Sequence, residues 1–286
     1  MPLTNVVCER CGLVYVNPRM GEAELRQFYT DRYREEFFAA GKPTERVARS
    51  GLRKAENWYA FIAPNVDHAD RVLDIGCATG ALLHLLKTRV GCEVSGVEPT
   101  TAYADYARES YGLDVACGMF PEADLPCPTY DVVILCHVLE HMADPLSTLR
   151  AVAKVLSPTG RLFVSVPSIL GVHCRLGYFL QHSHLFNFTP ASLAHMLFEA
   201  GFEVQESGVD KGYSAFHGIN VMARRPINGE PVAIPLAQDW RAVASYCRRH
   251  RFKYALYRWF PDFPRNVRKW LKRQVRAAVG RKLSNQ

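Results

Sequence analysis

No stretch of this 286-residue chain reaches the roughly 18 consecutive apolar residues that a membrane-spanning helix needs. The N-terminus, MPLTNVVCERCG, lacks the basic segment and following apolar run of a secretory leader. Acid is scarce at the other end: from Arg241 onward, 14 Lys and Arg face one acid, Asp262. The first 240 residues therefore carry a net charge of −6 within a chain of net charge +7. A mildly acidic body has been joined to a basic tail. Nine cysteines are present, but their odd number and scatter argue against a disulfide framework. With 48% apolar and 22% charged residues, the composition is that of a globular chain with a real core. These features predict a cytoplasmic, reduced protein.

What is present centres on residues 71–98. Val72, Leu73 and Ile75 form the short apolar run of a strand buried on both faces. The run leads into Asp74-Ile75-Gly76-Cys77-Ala78-Thr79-Gly80, a turn with two glycines, and then into an apolar-periodic helix. A second strand over residues 93–97 ends at Glu98, followed by Pro99. Gly76 and Gly80 allow the backbone close to a ligand, and the helix start behind them presents free N–H groups. An acid at the tip of the second strand can accept hydrogen bonds from ribose hydroxyls. The pattern predicts a nucleoside-binding βαβ unit; an αβ turn that binds nothing is the alternative. The dinucleotide fingerprint Gly-x-Gly-x-x-Gly is missing. The chain has Gly-x-x-x-Gly with Asp74 two residues earlier, which repels a pyrophosphate and suits a ligand bearing ammonium and sulfonium groups.

At these residues the chain resembles the class I S-adenosylmethionine (SAM) methyltransferases, whose first motif looks like VLDIGCATG and whose second ends in an acid. The resemblance implies an α/β fold: a Rossmann-like sheet of seven strands, mostly parallel with the last antiparallel. It implies SAM as cofactor and S-adenosylhomocysteine as product. Gly118, Met119 and Phe120 fall where related enzymes hold adenine, and Cys136 with His137 should edge the methyl group. The Asn/Asp-Pro-Pro-aromatic motif of nucleic-acid base methyltransferases is absent. The segment Cys136-His137-Val138-Leu139-Glu140-His141 is similar to the small-molecule branch, including the ubiquinone-pathway O-methyltransferases. In that branch, positions matching 137, 140 and 141 can bind a divalent metal. His137 replaces the first acid here, so no residue is assigned to a metal.

Three segments surround this core. Residues 1–66 combine a CxxC knuckle (Cys8, Cys11) with helical patterns around 22–29 and 44–62. The run CxxCGLVYxNPR resembles the second half of a zinc ribbon found before many bacterial small-molecule and glycan methyltransferases. Zinc wants four ligands, and no other CxxC occurs, so free thiols are expected and a zinc shared between two chains is the alternative. In similar enzymes such helices cap the cofactor, with a tyrosine near Tyr29 or Tyr33 at its methionine end. Residues 67–225 should form the catalytic domain, with a fifth strand over 161–166. An insertion over 168–188, holding His173, Tyr178, Phe179, His182 and His184, supplies the acceptor pocket. The pattern SHLxxFxxxSLxxxLxxAGF is met over residues 183–202.

Residues 226–286 read as a linker and basic aromatic helices. Val267, Trp270, Leu271, Val275, Ala278, Val279 and Leu283 make one apolar stripe. That helix could dock on the acidic body, mediate a homodimer, or lie on the anionic inner face of a membrane; nucleic acid ranks last.

Removing a proton from a hydroxyl acceptor needs a base, and histidine suits it. The expectation is O-methyl transfer to a small molecule or a sugar or glycan hydroxyl, with His141 or His184 as base and His137 beside them. Nitrogen or carbon acceptors, a nucleic-acid acceptor and a non-catalytic SAM-binding protein are the alternatives.

Overall fold

The computed structural model describes residues 4–32, 42–127, 129–211, 215–226 and 240–259. The chain opens with a hairpin, β1 (Asn5–Val7) and β2 (Val14–Val16), antiparallel from Asn5 opposite Val16 to Val7 opposite Val14. The CxxC sequence makes its turn: Cys8 N–H donates to the Leu13 carbonyl at 2.8 Å and Gly12 N–H to the Cys8 carbonyl at 2.9 Å. Two helices follow. α1 (Glu22–Gln27) is capped by Glu24, whose Oε2 accepts from Gly21 N–H at 2.8 Å. α2 (Glu45–Ile62) matches the helical pattern expected over 44–62 and starts where Thr44 accepts from Val47 N–H.

Strands and helices then alternate through β3 (Arg71–Ile75), α3 (Ala81–Arg89), β4 (Glu93–Glu98), α4 (Thr101–Tyr111) and β5 (Asp114–Cys117). Next come β6 (Tyr130–Cys136), α5 (Pro145–Val155), β7 (Leu156–Val172), α6 (Leu176–Phe179) and β8 (Phe186–Asn187). The remainder is α7 (Pro190–Glu199), β9 (Glu203–Asp210), β10 (Phe216–Arg224) and α8 (Trp240–Trp259). Asp144 caps α5 and Thr189 caps α7, each with Pro at the first helical position.

The main sheet has the order β5-β4-β3-β6-β7-β10-β9. Pairings from β5 through β7 are parallel, and β10 runs antiparallel to both β7 and β9. The seven-stranded, mostly parallel sheet with an antiparallel last strand is thus the fold that the sequence implies. Val72, Leu73 and the run Val132 to Leu135 have no exposed surface, because helices cover both faces of the parallel part. Strand order reverses at β3, which opens a ligand crevice at its carboxyl end.

Three details differ from the sequence reading. β7 spans residues 156–172 rather than 161–166, because both its edges find partners: Leu156 lies opposite Tyr130 on β6, and Val172 opposite Phe216 on β10. A register shift between Phe216 and Gly218 accommodates Pro167, and Gly171 has no Cβ to strike His217, whose own Cβ would lie 2.8 Å away. The expected insertion therefore begins as strand. Its far end joins the N-terminal hairpin, with Val14 opposite Asn187 and Tyr15 opposite Phe186 in a sheet of order β1-β2-β8. The sequence pattern places Tyr103, Tyr106 and Ala107 on the inner face of α4; Tyr103, Ala104 and Ala107 are buried there, and Tyr106 is only half-buried. Tyr33, most of the linker and the apolar stripe of residues 265–283 lie outside the described residues.

Gly80 and Gly91 both hold left-handed φ, at +74° and +82°. A Cβ on Gly80 would meet Leu113 Cδ1 at 2.5 Å and Ala107 Cβ at 2.9 Å, whereas one on Gly91 meets nothing within 4 Å. In urea denaturation, Gly91→Ala should therefore cost about 1–2 kcal/mol from backbone strain alone. Gly80→Ala should cost about 2–5 kcal/mol, since overpacking adds to strain. Equal losses would remove the packing account.

Candidate active site

The β3–α3 turn is built by three successive left-handed positions, Gly76 (φ +77°), Ala78 (φ +50°) and Gly80. Gly76 N–H and Cys77 N–H both donate to the Val97 carbonyl, at 2.7 and 3.1 Å, which ties the turn to β4. Glu98 completes the tie. Its Oε2 accepts from Ala78 N–H at 3.0 Å and its Oε1 from Thr100 N–H at 3.2 Å, with the side chain buried. A Cβ on Gly76 would lie 2.5 Å from Val138 Cγ2, so the residue there must be glycine for β6 to end against the turn. Asp74 is buried beneath, and its Oδ1 has no hydrogen-bond partner. Burial, then the nearby Glu98 carboxylate, raises the Asp74 pKa well above its ordinary value. A cation placed over this turn would relieve that cost.

A cavity of about 850 Å³ extends from the turn to the end of β6. At the turn end its wall includes Asp74, Gly76, Cys77, Ala78, Thr79, Glu98, Pro99, Gly118, Met119 and Phe120. Cys136 and His137 line it at the end of β6. Of the cofactor residues named from the sequence, Gly80 alone is absent from the wall; it faces Leu113 and Ala107. At the far end stand Tyr29, Trp58, Glu140, His141 and His184.

That far end is made by a single 3₁₀ turn, Leu139–His141, just after β6. His141 Nδ1 lies 2.7 Å from the Ser183 carbonyl oxygen, which can only accept, so Nδ1 carries the proton and Nε2 the lone pair. Glu140 Oε1 lies 3.9 Å from both His141 Nε2 and His137 Nδ1. Neither Glu140 oxygen has a hydrogen-bond partner, and burial raises this carboxyl to about 8. His184 faces His141 with ring centroids 5.0 Å apart and packs on Phe179; burial lowers its pKa to about 4. His137 holds φ +55° between Trp58 and Phe216, and burial ahead of the neighbouring Lys54 keeps its pKa well below the usual histidine value.

His141, His184 and His137 are therefore brought together, and Glu140 joins them as a residue that the sequence reading left without a catalytic role. Its signal was the spacing His137-x-x-Glu140-His141, which puts all three at one strand end. Glu140, His141 and His184 offer one ligand atom each within 4.8 Å of one another, the only such group among the described residues. Two imidazoles and an otherwise unpartnered carboxylate fit a divalent cation. His184 takes the place that His137 has in the 137, 140, 141 set considered from the sequence. Other expected pocket residues lie elsewhere. His182 packs against Phe28, Tyr178 is 69% exposed, and His173 pairs with His217 at 2.8 Å outside the cavity. Cys8 and Cys11 are half-buried in the hairpin turn and form no disulfide.

Two consequences are measurable. In metal-free, ligand-free protein, Glu140 has a folded pKa of about 8 against an ordinary 4.5. The unfolded chain ionises first, so this residue costs stability increasingly as pH rises from about 4.5 to about 8. Glu140→Gln should therefore raise the melting temperature more at pH 8 than at pH 5.5; the reverse order would refute the buried, unpartnered carboxyl. A cationic ligand over the turn should lower the raised Asp74 pKa. Titration calorimetry at several pH values should then show SAM affinity rising with pH more steeply in the wild type than in Asp74→Asn.

The methyltransferase-domain family model matches residues 44–207. Among similar proteins, a ubiquinone biosynthesis O-methyltransferase of Aeromonas salmonicida is 33% identical over 158 residues. That match covers 49% of this chain and 66% of the relative, so the chain spans just under two-thirds of that protein's length. A protein of Mycolicibacterium smegmatis, named a probable SAM-dependent methyltransferase, is 30% identical over 68% of this chain and 72% of its own. Among solved structures, mitomycin 7-O-methyltransferase superposes with a TM-score of 0.54 at 22% identity, covering 70% of this chain and 60% of its own. Magnesium protoporphyrin IX methyltransferase of Synechocystis, solved with S-adenosylhomocysteine, gives 0.53 at 17% identity, covering 72% and 100%. The family match lies over the very turn, acid and histidine cluster described above, and the chain belongs to the SAM-dependent methyltransferases of the methyltransferase-domain family.

Proposed function

We propose that this chain transfers the methyl group of SAM to a hydroxyl of a small molecule, a class that includes sugar, glycan and secondary-metabolite acceptors. One observation carries the reading: a single cavity joins the glycine turn to the histidine cluster, so a methyl donor at one end can face an acceptor at the other. The names of the O-methyltransferase relatives support oxygen as the acceptor atom.

Glu98 accepts from the ribose hydroxyls, using lone pairs left over from its two backbone bonds. Asp74 faces the ammonium, backbone groups from Gly76 to Thr79 cradle the methionine part, and Gly118, Met119 and Phe120 hold adenine. Pro99 and Cys136 shape the walls. Transfer is an in-line displacement with an excellent leaving group, so the protein contributes alignment and exclusion of water. His141 Nε2 takes the acceptor proton as the O–CH₃ bond forms and the S–CH₃ bond breaks. S-adenosylhomocysteine departs, and the proton passes to solvent. The Ser183 carbonyl, which also accepts from the Tyr29 hydroxyl at 3.3 Å, holds His141 in the required tautomer. His184 is neutral near pH 7 and forms the acceptor wall.

The partnerless Glu140 oxygens favour a second reading, in which a divalent cation sits on Glu140, His141 and His184. Such a cation would lower the pKa of the acceptor hydroxyl. His141 would then act as a ligand and not as the base.

Glu98→Ala should weaken SAM binding by about 1.5–3 kcal/mol, the range for hydrogen bonds to a charged group; unchanged affinity would remove Glu98 from the ribose. S-adenosylhomocysteine release should be followed across a panel of catechols, sugars and nucleotide sugars. His141→Ala should lower kcat about 10²–10⁴-fold with SAM affinity intact. Turnover that survives EDTA supports His141 as base. Turnover lost in EDTA and restored by Mg²⁺, Mn²⁺ or Zn²⁺ assigns the cation.

A further inference from the structure

We infer that the outer face of α8 docks on an anionic lipid bilayer. One face of the helix is committed inward. Val243 and His250 are buried and Cys247 is half-buried, at the i, i+4, i+7 spacing of a single helical stripe. That stripe closes on Val14, Ile169, Val172 and Phe179, and His250 Nε2 lies 3.1 Å from the Val172 carbonyl oxygen.

The other face is free of this packing. Arg248, Arg249, Arg251 and Lys253 are all exposed, and at their centre Phe252 is 66% exposed. Arg248 and Arg249 precede Phe252 by four and three positions, so their side chains flank its ring from the previous turn. The sequence of α8, WRAVASYCRRHRFKYALYRW, holds no acid at all. Among the described residues, none of the ion pairs engages Arg248, Arg249 or Arg251. A large apolar ring in the middle of a cationic face is unfavourable in water. At the headgroup level of a bilayer the ring leaves water while the cations meet lipid phosphates. A nucleic-acid backbone would satisfy the arginines without needing the ring. A second exposed ring lies on the neighbouring element: Tyr178, 69% exposed, belongs to α6, which packs on α8 through Leu176 and Phe179.

The surface also shares a wall with the acceptor end of the cavity. Phe179, next to Tyr178, shares an apolar cluster with Val243 of α8, and its ring centroid lies 5.9 Å from that of His184. Docking by this face would bring a bilayer-borne acceptor close to the histidines. This last clause rests on the proposed acceptor site; the docking itself does not, and SAM binding serves to separate the two.

The full chain should be sedimented with vesicles of phosphatidylcholine alone and with 30 mol% phosphatidylglycerol added. Binding should need the anionic lipid and weaken as salt rises. A basic residue near such a surface contributes about a five-fold change in partition. R248Q/R249Q/R251Q should thus lose about a hundred-fold, and Phe252→Ser several-fold, both keeping wild-type SAM affinity because all four side chains are exposed. Equal binding to neutral vesicles overturns the inference. So does undiminished binding by the triple variant, which would place the contact elsewhere in the chain. Binding of a 20-base-pair DNA duplex without any vesicle binding, lost in the same variant, also overturns it.

Discussion

The rest of the structure depends on the bond between a buried acid and the turn above it. Glu98 takes Ala78 N–H on one oxygen and Thr100 N–H on the other, while Val97 beside it accepts from Gly76 and Cys77. These bonds hold a left-handed backbone that would otherwise be costly, most of all at Ala78, which carries a Cβ. They also satisfy backbone donors of the turn and of Thr100 that water would otherwise have to reach. The carboxylate is thus structural before any ligand arrives. Each carboxylate oxygen still has a second lone pair to offer.

Charge is arranged with opposite logic at the two ends of the cavity. Asp74 and Glu98 put two carboxyl groups under the turn, an arrangement that is unfavourable when empty and favourable to a cationic ligand. At the far end Glu140 is likewise held without a hydrogen-bond partner, but its neighbours are imidazoles. Buried histidines near an acid with a raised pKa are poised to exchange a proton or to hold a cation. The two ends therefore differ in kind: one concentrates carboxyl groups that favour a cation, and the other sets a buried acid among neutral imidazoles.

The small sheet explains how the histidine end of the cavity is fixed in place. β8 pairs with β2, and Val16 N–H donates to the Leu185 carbonyl at 2.9 Å, so the N-terminal hairpin holds the segment that carries Ser183 and His184. The CxxC turn caps this hairpin with its own backbone bonds. Its present structural role is to close β1 onto β2.

Local pattern determined a great deal. The doubly buried runs at 72–75 and 130–135, the glycine turn, the acid at 98 and the Asp144 and Thr189 caps each act over a few residues. Such signals survive in sequence because strand burial and helix capping are short-range. The glycine-turn end of the cavity was legible for the same reason: Asp74 to Gly80 and Glu98 lie in two short stretches joined by one crossover. The histidine end was legible only in part. His137, His141 and His184 could be named, but the partnerless state of Glu140 depends on burial by elements distant in sequence. Likewise, Tyr178 and Phe179 are adjacent in the chain, yet one faces solvent and the other His184. Only tertiary packing decided that, along with the length of β7, the placing of β10 inside the sheet edge and the pairing of hairpin with insertion. Each is a long-range match between strand edges or side-chain surfaces, and no local propensity encodes which partner a free edge will find.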